Sequence, residues 1–221
     1  MSLPNWQQID TVLLDMDGTL LDLHFDNYFW NQLVPERYAA AQAISLEDSL
    51  VELNKSFTRL RGTLNWYCTD YWSQLTGLDI MALKRECQTK IALRPQTREF
   101  LQQLRQQQKR TVIITNAHPD SVELKMQRTR LNLMVDRVIS SHGYHAPKEY
   151  PEFWQALEQD EPFQKQRTVF IDDSQAVLES AAKYGIGYLV NMIKPDSQKP
   201  ANSPSIFCNI EHFDELKLST L

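Results

Sequence analysis

Cysteine and glycine are scarce in this 221-residue chain, which has three Cys and six Gly. Cys68, Cys87 and Cys208 are odd in number, far apart and outside any CxxC pairing, so spacing excludes both a disulfide framework and a structural zinc site. No run approaches the roughly 18 apolar residues of a membrane span. Residues Met1 to Asp10 lack the basic and apolar regions of a secretion signal, which predicts a soluble, cytoplasmic protein. A basic stripe is missing as well: 23 Lys and Arg are scattered among 28 Asp and Glu, giving a net charge of −5. That balance excludes a nucleic-acid or anionic-membrane surface and leaves a small molecule as the expected partner of a monomer or small homo-oligomer. The hydrophobic content of 42% is ordinary for a globular chain of this length.

What the sequence does contain is a series of short buried strands. Thr11 to Leu14 runs into Asp15, and similar apolar runs occur at Thr111 to Thr115, Val138 to Ser141, Thr168 to Asp172 and Tyr188 to Met192. Helical patterns separate them after residue 94. One opens at Arg94-Pro95 and turns Phe100, Leu101 and Leu104 inward; another covers Ser174 to Tyr184 and stops at Gly185. This alternation predicts an α/β fold, a Rossmann-like open parallel sheet. Residues 22–93 break the rhythm. They are aromatic-rich, carry a single proline, Pro35, and read as helix, which predicts an all-helical subdomain inserted between core segments 1–21 and 94–221. The aromatic residues Phe25, Tyr28, Phe29, Trp30, Trp66, Tyr67, Tyr71 and Trp72 fall at helical spacings and predict a core for the insert. From Lys194 onward, prolines and serines predict loop.

Two carboxylates stand at the end of the first strand, in Leu14-Asp15-Met16-Asp17-Gly18-Thr19. In an open α/β sheet that edge is where ligands bind, and Gly18 permits a sharp turn whose amides face an anion. Asp172-Asp173 closes the Thr168 strand in the same way, so four acids converge. Carboxylates this close raise one another's pKa or take up a cation, and oxygen-only donors suit Mg²⁺. A magnesium-bound phosphate substrate follows. Thr115-Asn116 and Lys148, after two further strands, add a hydroxyl, an amide and a cation. Each has a plain structural alternative, as a helix cap, a loop opening or a surface lysine. Their succession at strand ends favours chemistry. His24, His118, His142 and His145 have no metal-ligand spacing among themselves and receive no catalytic role.

Taken together, DMDGT, IITN, Lys148 and FIDDS resemble the four motifs of the haloacid dehalogenase-like phosphohydrolases. The resemblance covers nearly the whole chain and puts residues 22–93 where that family carries a helical cap. His24 to Trp30, Leu64 to Cys68 and Asp70 to Trp72 resemble the bacterial GMP/IMP 5′-nucleotidases within it. The resemblance implies Asp15 as nucleophile, Asp17 as general acid and base, and Thr115, Asn116 and Lys148 as phosphate-binding groups. It implies Mg²⁺ held by Asp15, the Asp17 backbone carbonyl and Asp173, with Asp172 beside it. The activity implied is hydrolysis of purine nucleoside monophosphates, IMP and GMP, through an aspartyl-phosphate. A phosphatase or mutase for another phosphometabolite, such as a sugar phosphate, would use the same core. A catalytically silent phosphometabolite-binding module is the alternative from another class. A dehalogenase has no use for Asp17 or metal ligands. A phosphonate-cleaving enzyme needs a buried lysine in the insert, and nothing in the sequence marks Lys55, Lys84 or Lys90 as buried.

Overall fold

A computed structural model describes residues 3–218; residues 1–2 and 219–221, the outer ends of the expected core segments, lie outside the described residues. Six strands form one parallel sheet: β1 (Thr11–Leu14), β2 (Arg110–Thr115), β3 (Arg137–Ser140), β4 (Thr168–Asp172), β5 (Tyr188–Met192) and β6 (Cys208–Ile210). Their order is β3-β2-β1-β4-β5-β6. All four residues of β1 are buried, as expected of a strand covered on both faces. β1 pairs with β2 on one side and β4 on the other, so the chain changes direction across the sheet at β1. A crevice therefore opens beyond the carboxyl ends of these three strands.

Alternation along the strands divides the core between two faces. Val12, Leu14, Ile113, Val169 and Ile171 share one cluster with Phe100, Leu104 and Phe213. Leu13, Val112, Ile114, Phe170 and Leu189 share the other with Phe153, Trp154, Leu157, Val177 and Leu178.

The chain between β1 and β2 is helical: α1 (His24–Tyr28), α2 (Val34–Gln42), α3 (Leu46–Leu60), α4 (Leu64–Tyr67), α5 (Thr69–Thr76), α6 (Ile80–Glu86) and α7 (Thr97–Gln106). A π-helical turn at Phe29–Leu33 joins α1 to α2 just ahead of Pro35, which has no amide to donate into the turn before it. Entry and exit of the stretch lie side by side, with Leu21 bridged to Leu93, Asp22 N donating to Ala92 O at 3.0 Å and Arg94 N to Leu20 O at 2.9 Å. An aromatic cluster holds these helices together. Trp72, 1% exposed, packs against Trp30 at 5.2 Å and Phe57 at 4.9 Å between ring centroids. The remaining helices, α8 (Pro119–Thr129), α9 (Pro151–Asp160) and α10 (Gln175–Tyr184), follow β2, β3 and β4, and Gly185 caps α10 with a φ of +97°. None of the described helices is long and apolar enough to cross a membrane.

Two expectations need correction. Pro95 does not open α7: Gln96 adopts a left-handed φ of +65° and the helix starts at Thr97. The Arg94 guanidinium is drawn away to the Lys194 and Glu211 carbonyls, and Thr97 Oγ1 donates to Leu20 O, which fixes that turn. The segment after Lys194 is not all loop, because it supplies β6 and a 3₁₀ turn at Phe213–Leu216. β6 is only three residues long, and long-range contacts hold it: Asn191 Nδ2 donates to Asn209 Oδ1 at 3.0 Å, Phe213 stacks on Phe100 at 4.4 Å, and Trp6 Nε1 donates to Leu216 O at 2.7 Å. Phe213→Ala is expected to cost about 3 kcal/mol in urea denaturation. A loss below about 1 kcal/mol would contradict the anchoring of this tail.

Candidate active site

The seven residues singled out from sequence, Asp15, Asp17, Thr115, Asn116, Lys148, Asp172 and Asp173, all line one cavity of about 380 Å³ at the carboxyl edge of the sheet. The main chain turns sharply after β1. Met16 O accepts from Leu20 N and Leu21 N, and Gly18, at a φ of +92°, donates to Leu21 O at 2.8 Å. A Cβ on Gly18 would lie 2.5 Å from Asp173 Oδ2, so only glycine lets the β1 and β4 loops approach this closely.

Lys148, 2% exposed, donates to Asp15 Oδ1 at 2.6 Å and to Asp172 Oδ2 at 2.7 Å. Its backbone is clamped from two sides: its N–H donates to Asn116 Oδ1 at 2.9 Å, and Trp154 Nε1 donates to its carbonyl at 2.9 Å. Asp172 Oδ1 accepts from Ser174 N, so both its oxygens are engaged. Asp15 Oδ2, by contrast, is buried without a hydrogen-bond partner among the described residues. Carboxylate oxygens of Asp15, Asp172 and Asp173 lie within 4.8 Å of one another, an arrangement able to hold a metal ion. Thr115 Oγ1 accepts from Ala117 N at 3.1 Å, which leaves its proton free for the cavity.

The electrostatics follow from burial. Burial pushes Asp15 up to about 6 against the pull of Lys148, and Asp17 up to about 6 against that of Lys125. Burial also raises Asp172, and raises Asp173 well above the usual carboxylate range, with the Asp15 and Asp172 charges adding to the effect on Asp173. For Lys148, burial opposes the charge, but Asp15 and Asp172 outweigh it and hold the ammonium protonated.

Three charged residues of the site, Lys125, Lys84 and Glu149, receive no such role from the sequence analysis. Lys125, 1% exposed, donates to Asp17 Oδ1 at 2.7 Å and to Asp26 Oδ2 at 2.8 Å. Lys84, on α6, donates to Asp26 Oδ1 at 3.2 Å and packs over the Phe29 ring at 4.5 Å. Glu149 joins the two sides of the crevice, accepting from Tyr67 Oη and from Asn116 Nδ2, each at 2.9 Å. For Lys125 a signal existed: Ser121, Lys125 and Thr129 form a buried stripe at one-turn spacing on α8. Lys84 is 3% exposed, so the insert does hold a buried lysine, although one ion-paired to Asp26. The cavity lining thus carries five aspartates against three lysines, an excess of two negative charges when all are ionised. A divalent cation would restore the balance.

Away from the carboxylates, the structure brings Cys68, His118 and His142 together, with one ligand atom of each within 4.8 Å of the others. No spacing in the chain marks this group, because the three residues come from separate loops that the fold makes adjacent. Gly18→Ala is expected to displace the Asp173 carboxylate and weaken divalent-cation binding by roughly 10- to 100-fold in calorimetric titration. Unchanged affinity would show that the tight approach of the two loops does not shape the metal-binding geometry.

Comparison with known proteins places this geometry in a family. A sequence model of the haloacid dehalogenase-like hydrolases matches residues 9–185. The GMP/IMP nucleotidases YrfG of Escherichia coli and of Shigella flexneri are each 43% identical over 192 residues, covering 87% of this chain and 86% of theirs. The crystal structure of a HAD phosphatase from Thermococcus onnurineus superposes with a TM-score of 0.78 at 20% identity, covering 95% of this chain and 96% of that one. That of the putative HAD-hydrolase YfnB from Bacillus subtilis, bound to magnesium, gives 0.67 at 20% identity, over 95% and 97%. At such identities the superpositions speak for the fold, and the sequence matches speak for descent. The chain belongs to the haloacid dehalogenase-like hydrolase family.

Proposed function

We propose that this protein is a Mg²⁺-dependent 5′-nucleotidase that hydrolyses purine nucleoside monophosphates, IMP and GMP, in the cytoplasm. The observation that carries the chemistry is the unpartnered, buried Oδ2 of Asp15, whose other oxygen is held by Lys148. The 43% identity to two GMP/IMP nucleotidases supports the substrate class. So does the lining of the cavity, which includes the aromatic residues Trp30, Phe57, Trp66 and Tyr67 as well as the carboxylates.

In this reading Asp15 Oδ2 attacks phosphorus and becomes an aspartyl-phosphate, splitting one difficult hydrolysis into two displacements. Asp17 donates a proton to the departing ester oxygen and then takes one from the water that cleaves the acyl phosphate. A carboxyl pushed up to about 6 suits both tasks near neutral pH. Thr115 Oγ1 and Lys148 Nζ bind phosphoryl oxygens and stabilise the charge that spreads over them. The Asn116 side chain is engaged by Lys148 N and Glu149, so its backbone amide is the group it offers to phosphate. Asp15, the Asp17 carbonyl and Asp173 would hold Mg²⁺, with Asp172 committed to Lys148 and Ser174 beside them. The metal, when bound, supplies Lewis-acid neutralisation that lets a carboxylate approach a phosphate. Residues 22–93 act as the cap over the core segments 1–21 and 94–221, and the choice of leaving group lies in their contacts.

Phosphate release with Mg²⁺ across IMP, GMP, AMP, CMP, pyridoxal 5′-phosphate and glucose 6-phosphate tests this reading. IMP and GMP are expected to be preferred, and Asp15→Asn to lose at least about 10³-fold in kcat. Better turnover of the sugar phosphate would overturn the nucleotidase assignment, and turnover of none would favour a silent binding module. A second expectation concerns pH. The Lys125 ammonium holds the Asp17 carboxyl down, so Lys125→Met raises it. Asp17 must enter the first step protonated, and its ionisation shuts activity off as pH rises. The alkaline limb of kcat against pH is therefore expected to move upward by about 1 unit in the variant. A limb that stays in place or moves downward would remove Asp17 from the role of general acid.

A further inference from the structure

Cys68, His118 and His142 stand outside the machinery described above and come from both sides of the crevice. Cys68 lies between α4 and α5, in the helical stretch. His118 precedes α8, after β2, and His142 lies in the turn after β3. Cys68 Sγ and one ring nitrogen of each histidine lie within 4.8 Å of one another, and all three residues are partly buried. The two imidazoles meet edge to face at 5.0 Å.

The surroundings suit metal coordination. His142 Nε2 is buried with no hydrogen-bond partner among the described residues, a costly state for an imidazole nitrogen. Its ring is held neutral by burial and by the neighbouring His118, and neutral imidazole is the ligating form. The His118 ring is fixed in orientation by the Thr69 hydroxyl, 2.9 Å from Nδ1, and flanked by the Asp70 carboxylate, 3.8 Å from Nε2. Cys68 Sγ accepts from Tyr71 N at 3.5 Å at the start of α5. One sulfur and two nitrogens form a borderline-soft donor set that suits Zn²⁺ and Co²⁺ and not Mg²⁺, which takes oxygen ligands. Chemically it is thus distinct from the carboxylate cluster, which is hard and all oxygen.

We propose that Cys68, His118 and His142 form a second metal site, for a thiophilic divalent cation of the Zn²⁺ class, that ties the α4–α5 connection to the loops after β2 and β3. Three protein ligands leave a fourth position for water or Asp70. The tied segment carries Trp66, Tyr67 and Thr69 into the cavity wall, so occupancy fixes the aromatic side of the crevice relative to the sheet edge. Binding releases the thiol proton to solvent and involves no redox step.

The test is titration of the Mg²⁺-loaded protein with Co²⁺. A thiolate-to-cobalt charge-transfer absorption is expected to grow to one equivalent and to be bleached by Zn²⁺, which binds such donors more tightly. Co²⁺ at the carboxylate cluster gives no thiolate band, so the two sites are told apart by the signal itself. Cys68→Ser is expected to abolish the band, and His142→Gln to weaken Co²⁺ binding by at least ~10-fold. Circular dichroism of both variants without added metal establishes that they fold, and His142→Gln decides the matter where Cys68→Ser does not. Absence of the band in the unaltered protein would overturn the site. So would its persistence in Cys68→Ser, which would assign it to Cys87 or Cys208, or unchanged Co²⁺ affinity in His142→Gln.

Discussion

The ion pair network around Lys148 is the constraint on which the site depends. Its ammonium sits between Asp15, the residue just after β1, and Asp172, the last residue of the neighbouring β4. All three are nearly inaccessible to water, and a buried charge without partners is prohibitive. The fold therefore has to deliver the lysine to within hydrogen-bond reach, and it does so through backbone rather than side-chain flexibility: Asn116 holds the Lys148 N–H and Trp154 holds its carbonyl. Trp154 in turn spans to Ser180 on α10 at 3.0 Å and packs on Phe170 of β4 at 5.2 Å. The core on that face of the sheet thereby sets the position of one charged atom at its edge.

Lys148 is one of three buried lysines that line the cavity. Lys125 answers Asp17 and Asp26, Lys84 answers Asp26 again, and the cavity keeps more carboxylate than ammonium. Such an imbalance is unfavourable in a structure that only has to be stable. It is favourable in one that binds a cation together with an anionic substrate. The same network bridges the crevice, since Asp26 and Lys84 belong to the helical stretch while Asp17 and Lys125 belong to the sheet side. Glu149 and Tyr67 bridge it again, and Asn27 Nδ2 donates across to Asp196 Oδ2 at 2.7 Å. Polar and ionic contacts thus join the two sides at the crevice, beside an apolar cluster in which Phe25, Phe29 and Trp72 of the helical stretch share a core with Leu14 and Ile113 of the sheet.

The sheet and its acidic edge were legible because their signals are local. An apolar run of four or five residues ending in Asp states both a buried strand and an unusual terminus, and Asp15, Asp172 and their neighbours needed no long-range information. β6 was hidden because a three-residue strand at the sheet edge has no period to detect, and its stability comes from Phe100, Trp6 and Asn191, far away in sequence. Lys84, Lys125 and Glu149 were hidden for a related reason: a charged residue on a helix or loop reads as solvated until the fold supplies its counter-ion. The Cys68, His118 and His142 group shows the same limit, since ligands from three separate loops leave no spacing in the chain.

Covalent phosphorylation of Asp15 during turnover, the step proposed above, is tested by quenching the reaction with IMP in acid, digesting the protein and locating a phosphoryl group by mass spectrometry. The group is expected on the peptide that contains Asp15, and nowhere else. A phosphoryl group on another residue, or turnover that persists in Asp15→Asn, would contradict it.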